Sequence, residues 1–368
     1  MNNLQQRFNS ALNENVCNHS LELSKVAVAV SGGADSLALV LLMNDYARVA
    51  NFKIVALTVN HHLRPEATEE AEYVANLMQK CGIEHHILEW QHHLLLSGIE
   101  TKAREARYDL LLNWCRQNNF PYLMTAHHLH DQAETFFIRL QRGSGVDGLA
   151  SMSFVTVRDG IKIIRPLLNI EPDELRQFLT AQNIAWREDA SNQCDDYLRV
   201  RVRKILPLLE QELGLTVAKI GSAVAALGDA RDYFEIQVQR FIKNHCRNWY
   251  GCAWSFSPLS FAALHHELKM RTAAELIKNV GKNEYSPEYQ SLKRLLSALN
   301  SDEFAGATLG GCEIIRFQNK IWIIPEFKTS EVLSKTQWSK FSEQHQEILK
   351  NGLPYKLKLY LWKKWQSS

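Results

Sequence analysis

The sequence predicts an α/β fold: a parallel sheet covered by helices on both faces, followed by a smaller, mostly helical domain. Three observations predict it. From Lys25 to about residue 210, β-type runs alternate with helical patterns of ten or more residues, as βαβ units require. The runs KVAVAVS and FKIVALTV are almost continuously apolar, as strands buried on both faces are. Beyond about residue 212 the alternation is lost.

KVAVAVS reads as the first strand, and SGGADS leads from it into a helical pattern over residues 35–50. FKIVALTV, the helical EATEEAEYVANLMQKCG, the short HHILEW, the amphipathic IETKAREARYDLLLNWCRQNN and PYLMTA continue the alternation. A further helix starts near His128 in TAHHLHDQAETFFIRLQRGSGVDGLASM. IKIIRPLLNIEPDELRQFLTAQN follows, with Pro172 suited to a first helical turn, where a missing N–H costs nothing. WREDASNQCDDYLRVRVRKILPLLEQEL then leads out of the α/β region through a basic helical stretch. Residues 216–300 read as mostly helical, broken at SPLS and YSPEY, and ATLGGCEIIRFQNKIWIIPE reads as a β-hairpin. The expected divisions are an N-terminal helical segment at 1–24, an α/β domain at 25–212, a mainly helical domain at 213–328 and a basic, aromatic tail at 329–368. In that tail Lys356, Lys358, Lys363 and Lys364 interleave with Tyr355, Tyr360, Trp362 and Trp365. The mixture suits base stacking and phosphate contact; an aromatic-anchored surface segment is the alternative.

With 368 residues and a formal net charge of +2, the chain has room for a core that needs no covalent staples. Its seven cysteines stand singly, without a CxxC pair, which argues against a zinc ribbon or a disulfide framework. The N-terminal stretch has no apolar h-region, and no run approaches eighteen apolar residues. The expectation is a protein of the reducing cytoplasm, neither exported nor membrane-spanning.

SGGADS falls at the carboxyl end of the first strand, where open α/β sheets bind ligands. Glycines there let backbone N–H groups at a helix start approach an anion, and phosphate is the natural guest. The P-loop pattern GxxxxGK[ST] is absent. Asp35 would repel phosphate unless a cation intervened, and Mg²⁺ held by one or two carboxylates and phosphate oxygens answers that. Simple capping of the helix by Ser31 or Asp35 is the alternative. GSGVDG at 143–148 matches GxGxxG but follows a helix rather than a strand, so it reads as a functional loop. Asp131, Glu134 and Thr135 fall at i, i+3 and i+4 of one helix, on one face. A zinc site from His127, His128, His130 and Asp131 is the weaker reading, because neither HExxH nor a cysteine cluster accompanies them.

SGGADS resembles the SGGxDS loop of the N-type ATP pyrophosphatases, the PP-loop ATPases. VNHHLRPEATEEA at 59–71, GIETKAREARYDLL at 98–111, the block at 125–152, IRPLL at 164–168, and REDASN followed by DYLRVRVR are similar, in order, to the motifs of the tRNA(Ile)-lysidine synthetase family. That resemblance implies a ligase that uses ATP as substrate, with Mg²⁺, to join free L-lysine to C2 of the wobble cytidine in the CAU anticodon of tRNA(Ile). An adenylated cytidine is the intermediate, and AMP and diphosphate leave. It implies ATP contacts at Ser31, Gly32, Gly33, Ala34, Asp35 and Ser36, and catalytic and magnesium-binding roles for Asp35 and Asp131. His130 stands where the family usually has an acid or a polar substitute, so the carboxylate role is carried to Asp131 alone. Implied contacts with substrate or tRNA are Glu100, Arg104, Arg107, His128, Glu134, Gly143, Ser144, Gly145, Arg199 and Arg203. Val200 stands where the family commonly has Asn. A homodimer is admitted. The alternatives are a PP-loop tRNA thiolase, which would need paired cysteines, and a non-catalytic nucleotide- or RNA-binding protein.

Overall fold

A computed structural model describes residues 3–63, 66–91, 99–187, 197–283, 285–301, 303–327 and 352–366, with backbone alone for 99–101, 197 and 365–366. The chain divides into two compact units, Met1–Arg231 and Asp232–Ser368.

The first unit runs α1 (Asn3–Asn18), β1 (Lys25–Ala29), α2 (Ala34–Ala50), β2 (Lys53–Asn60), α3 (Glu66–Lys80), β3 (Glu84–Glu89), α4 (Ile99–Gln117), β4 (Tyr122–Met124), α5 (Leu129–Gln141), α6 (Val146–Leu149), β5 (Val155–Arg158), β6 (Ile161–Ile164), α7 (Pro172–Ala181) and α8 (Tyr197–Leu213). The long helix α9 (Val217–His245) crosses from this unit into the next. The sheet order is β3-β2-β1-β4-β6-β5. β1 pairs in parallel with both neighbours, Val26 standing against Ile54 on one side and Tyr122 on the other. Strand alternation sends Val26 and Val28 into a core with Leu37, Leu42 and Met43 of α2, while Ala27 faces Leu112 and Cys115 of α4. The apolar runs are thus consumed on both faces. Each fully buried leucine of α2 contributes about 1.5–3 kcal/mol. α1 joins the same core through Leu4, Phe8 and Leu12, spaced one helical turn apart.

β5 is antiparallel to β6, with Arg158 opposite Ile161. The turn between them places Asp159 (φ 51°) and Gly160 (φ 79°) in the left-handed region, a two-residue hairpin of the Asp-Gly type. This edge strand is absent from the sequence reading, although Asp159-Gly160 carries its signal.

In the second unit β7 (Cys246–Trp249), β8 (Ala253–Phe256), β9 (Ala307–Leu309), β10 (Cys312–Phe317) and β11 (Lys320–Pro325) form an antiparallel sheet in the order β7-β8-β11-β10-β9. The hairpin expected near 307–326 is β10–β11; β7 and β8 lie in a stretch that reads as helical. Helices α10 (Pro258–Ala262), α11 (His266–Gly281) and α12 (Tyr289–Leu299) complete the unit with the helix Tyr355–Gln366. One sheet face packs on α11 and α12 through Ile314, Ile321 and Ile323. Trp322 and Ile324 of β11 pack instead with Leu357, Leu361 and Trp362. Trp362 is an interior anchor rather than an exposed stacking surface; the side chain of Trp365 lies outside those described. No single described helix is long and apolar enough to cross a membrane.

Candidate functional site

Between β1 and β4 the strand order reverses, and such a switch point opens a crevice beyond the carboxyl ends of the strands. The chain leaving β1 carries residues 31–36, and the chain leaving β4 carries His127 and His128. Gly32 has φ +86°, and a Cβ there would meet Val74 Cγ2 at 3.2 Å, so a larger residue would be strained and crowded. Gly33 has an ordinary φ of −74° and is the N-cap of α2, with no side-chain cap. Capping by Ser31 or Asp35 is therefore not what is found. Ser36 Oγ instead donates to the Gly33 carbonyl (2.9 Å) and accepts from the Ser31 N–H (3.1 Å). These bonds hold the loop, and α2 starts with no side-chain cap from its N-cap residue. The Arg187 N–H donates to the Gly32 carbonyl at 3.0 Å, tying the start of the REDASN stretch to the loop.

His128 is the N-cap of α5, and Asp131 Oδ2 accepts the His128 N–H at 3.0 Å. The His128 ring stands between two carboxylates, with Nε2 3.5 Å from Asp35 Oδ2 and 3.6 Å from Asp131 Oδ2. Burial pushes the Asp35 carboxyl above its ordinary range; His128 opposes that and Asp131 adds to it. Burial also pushes Asp131 upward, but His128, His127, the His128 N–H and Arg199 outweigh it and hold this carboxyl low. Asp35 Oδ1 and His128 Nδ1 are buried without a hydrogen-bond partner. The two acids thus differ in character around one imidazole.

α8 faces α5 with arginines one turn apart. Arg199 acts on Asp131. Arg203 grips Glu134, with Nε 2.5 Å from Oε1 and Nη2 3.3 Å from Oε2. Glu134 is only 2% exposed, so its carboxylate joins two helices rather than lining the crevice beside Asp131. His130 turns to Glu171 at 2.9 Å, so the four polar residues of the zinc reading do not converge. Among the described residues no group of three metal-binding side chains exists.

Gly143, Ser144 and Gly145 follow the far end of α5. Its 13 residues span about 20 Å, so these three are not at the carboxylates. The segment then folds back along the helix. Arg139 Nη1 donates to the carbonyls of Gly148 and Ser151, both at 2.9 Å. Gln132 donates to the Met152 carbonyl (2.9 Å) and accepts from its N–H (2.8 Å). Arg104 and Arg107 lie on α4, whose start carries Glu100, a side chain outside those described. Both arginines act on His127, which burial drives down to about 4; Asp131 opposes the fall, and Arg165 adds to it with Arg104 and Arg107. His127 entered the sequence reading only as one of the four residues of the zinc alternative, and Arg165 was not singled out although IRPLL at 164–168 contains it. The one available signal was an arginine closing the apolar run IKII.

The PP-loop domain family matches residues 1–209. The tRNA(Ile)-lysidine synthase of Wolbachia pipientis wMel is 38% identical over 324 residues, covering 85% of this chain and 73% of that protein. Its counterpart from Rickettsia felis is 32% identical over 337 residues, covering 88% and 74%. Among solved structures, the U34-tRNA thiolase NcsA of Methanococcus maripaludis superposes with a TM-score of 0.52 at 19% identity, over 60% of this chain and 78% of that one, a likeness of fold alone. With a PP loop at the switch point and relatives matched across both units, the chain belongs to the tRNA(Ile)-lysidine synthase family of PP-loop enzymes.

Proposed function

We propose that this enzyme joins free L-lysine to C2 of the wobble cytidine of tRNA(Ile) bearing a CAU anticodon, at the expense of ATP. The cytidine O2 attacks the α-phosphorus and diphosphate leaves. The lysine amine then attacks C2, the C2–O bond breaks with release of AMP, and the amine proton is lost as lysidine forms. The observation that carries this reading is the pairing, at one switch point, of an uncapped α2 N-terminus with two carboxylates held around His128.

Each group has a physical task. The first-turn N–H groups of α2 point where phosphate charge develops, and need no reorganisation to stabilise it. Asp35 and Asp131 offer hard oxygen donors, and the buried, unpartnered Asp35 Oδ1 fits a bound cation. Mg²⁺ held there would supply charge neutralisation at the phosphates. His128 keeps both carboxylates oriented. Arg199 and Arg203 belong to α8, which braces the catalytic helix, and the loop around Gly143, Ser144 and Gly145 is assigned to the RNA. Residues 213–328 are assigned to the tRNA body.

The thiolase alternative needs reactive thiols. Burial pushes the thiols of Cys115, Cys246 and Cys312 up to about 12, where thiolate is scarce. The test supplies ATP, radiolabelled lysine and tRNA(Ile) with a CAU anticodon. Label should enter RNA only when all three are present, with AMP accumulating. Incorporation without ATP defeats the mechanism, and sulfur transfer in place of lysine favours the thiolase.

A further inference from the structure

Between its two ends β2 carries one polar side chain, Thr58, in an otherwise apolar run. Thr58 is buried, at 4% exposure. Valine has the same shape and would pack there with no hydroxyl to desolvate. What the hydroxyl bonds to is therefore what distinguishes the residue. Its Oγ1 lies 2.8 Å from the Val30 carbonyl oxygen and 2.8 Å from His85 Nε2. A carbonyl only accepts, so the single Thr58 proton goes to Val30, and the imidazole nitrogen must be the donor to Thr58. A neutral ring protonated at Nε2 meets that demand, and burial together with His86 holds His85 down to about 4, so the ring is neutral at pH 7.

The Val30 carbonyl and the Ser31 N–H belong to one planar peptide unit. Thr58 holds its oxygen, and Ser36 Oγ accepts its N–H at 3.1 Å. With both edges held, the plane cannot tilt. This is the peptide at which the chain leaves the sheet: the pairing of β1 with β2 ends at Ala29 opposite Leu57, and SGGADS begins at Ser31. Ser36 Oγ also donates to the Gly33 carbonyl at 2.9 Å. The orientation set at Val30 is thus passed to both sides of the Gly32–Gly33 turn.

Resting on the proposed placement of ATP phosphates at the start of α2, we propose that Thr58, backed by His85, is a positioning residue for the diphosphate end of ATP. The hydrogen-bond chain from β3 through β2 to β1 aims the loop, and Thr58 acts through that loop rather than by touching the nucleotide. Preorganised donors stabilise phosphate charge only while their direction is fixed in advance.

The test measures binding of ATP and of AMP, each with Mg²⁺, to the full chain by calorimetry. Thr58→Val should weaken ATP about fivefold to tenfold, the scale of one lost hydrogen bond, and leave AMP, which lacks the diphosphate, within about twofold. Thr58→Ser restores the hydroxyl and should bring ATP affinity back. His85→Leu removes the donor behind Thr58 and should show part of the same selective loss; it carries the test should Thr58→Val not fold. Equal weakening of ATP and AMP marks a general packing role, and unchanged ATP affinity in folded variants marks an idle hydroxyl; either result overturns the proposal while leaving the phosphate site intact. If the wild type binds ATP no more tightly than AMP, the phosphate reading of the loop falls and this proposal falls with it.

Discussion

Asp35 is an acid held where its charge is unfavourable. Its folded pKa is raised by burial and by Asp131, so its contribution to stability is complete only below its unfolded pKa and is lost as pH rises through the folded value. At neutral pH the ionised carboxylate therefore costs the apo protein stability. Asp35→Asn is expected to raise the thermal midpoint at pH 7 while lowering the proposed ATP-dependent lysine transfer by at least about a hundredfold, the scale of losing a preorganised charge partner. A lower midpoint would show that His128 outweighs burial. Asp35 was legible in the sequence because a carboxylate beside two glycines at a strand end is chemically odd. Arg165 was not, since an arginine after an apolar strand looks the same whether it meets solvent or the protein interior.

Helix α5 shows how periodicity informs and misleads. The i, i+3 spacing puts Asp131 and Glu134 on one side, and their proximity was correctly legible. Their different fates depend on what packs against each. Asp131 sits in the first turn beside His128, whereas α8 covers Glu134 and supplies Arg203. Removing Arg203, itself partly exposed, leaves the buried Glu134 carboxylate without this partner, at a cost of about 1–3 kcal/mol. Arg203→Met should lower stability by that order in urea unfolding, and Glu134→Gln added to it should recover part of the loss. If the single variant is neutral, the pair does not brace α5 against α8. Gln132 has an equally local role in holding the segment that folds back from α6. Gln132→Leu leaves the N–H and carbonyl of Met152 without their partner, and about 2 kcal/mol of destabilisation is expected from the same urea titration.

Across the first unit, two histidines set a common acid response. Burial holds His85, and His127 as well, at about 4, against 6.5 for a free imidazole. Between those values the unfolded chain binds more protons than the folded one, so stability falls as pH drops from about 6.5 toward 4. The urea midpoint should follow that fall, and His85→Gln should flatten it; an unchanged slope would remove His85 from the account. The βα alternation, the turn at Gly32 and Gly33, helix α5 and the β10–β11 hairpin were determined by the sequence itself, because each rests on local periodicity or on one residue's backbone freedom. Strand order was decided only by the tertiary structure: β1 lies beside β4, and that pairing brings Asp35 to His128 and Asp131 from distant points of the chain. The edge strand β5, the short strands β7 and β8 and the Glu134–Arg203 pair belong to the same class. Each depends on which surfaces are buried together, and burial between segments far apart in sequence leaves no period to read.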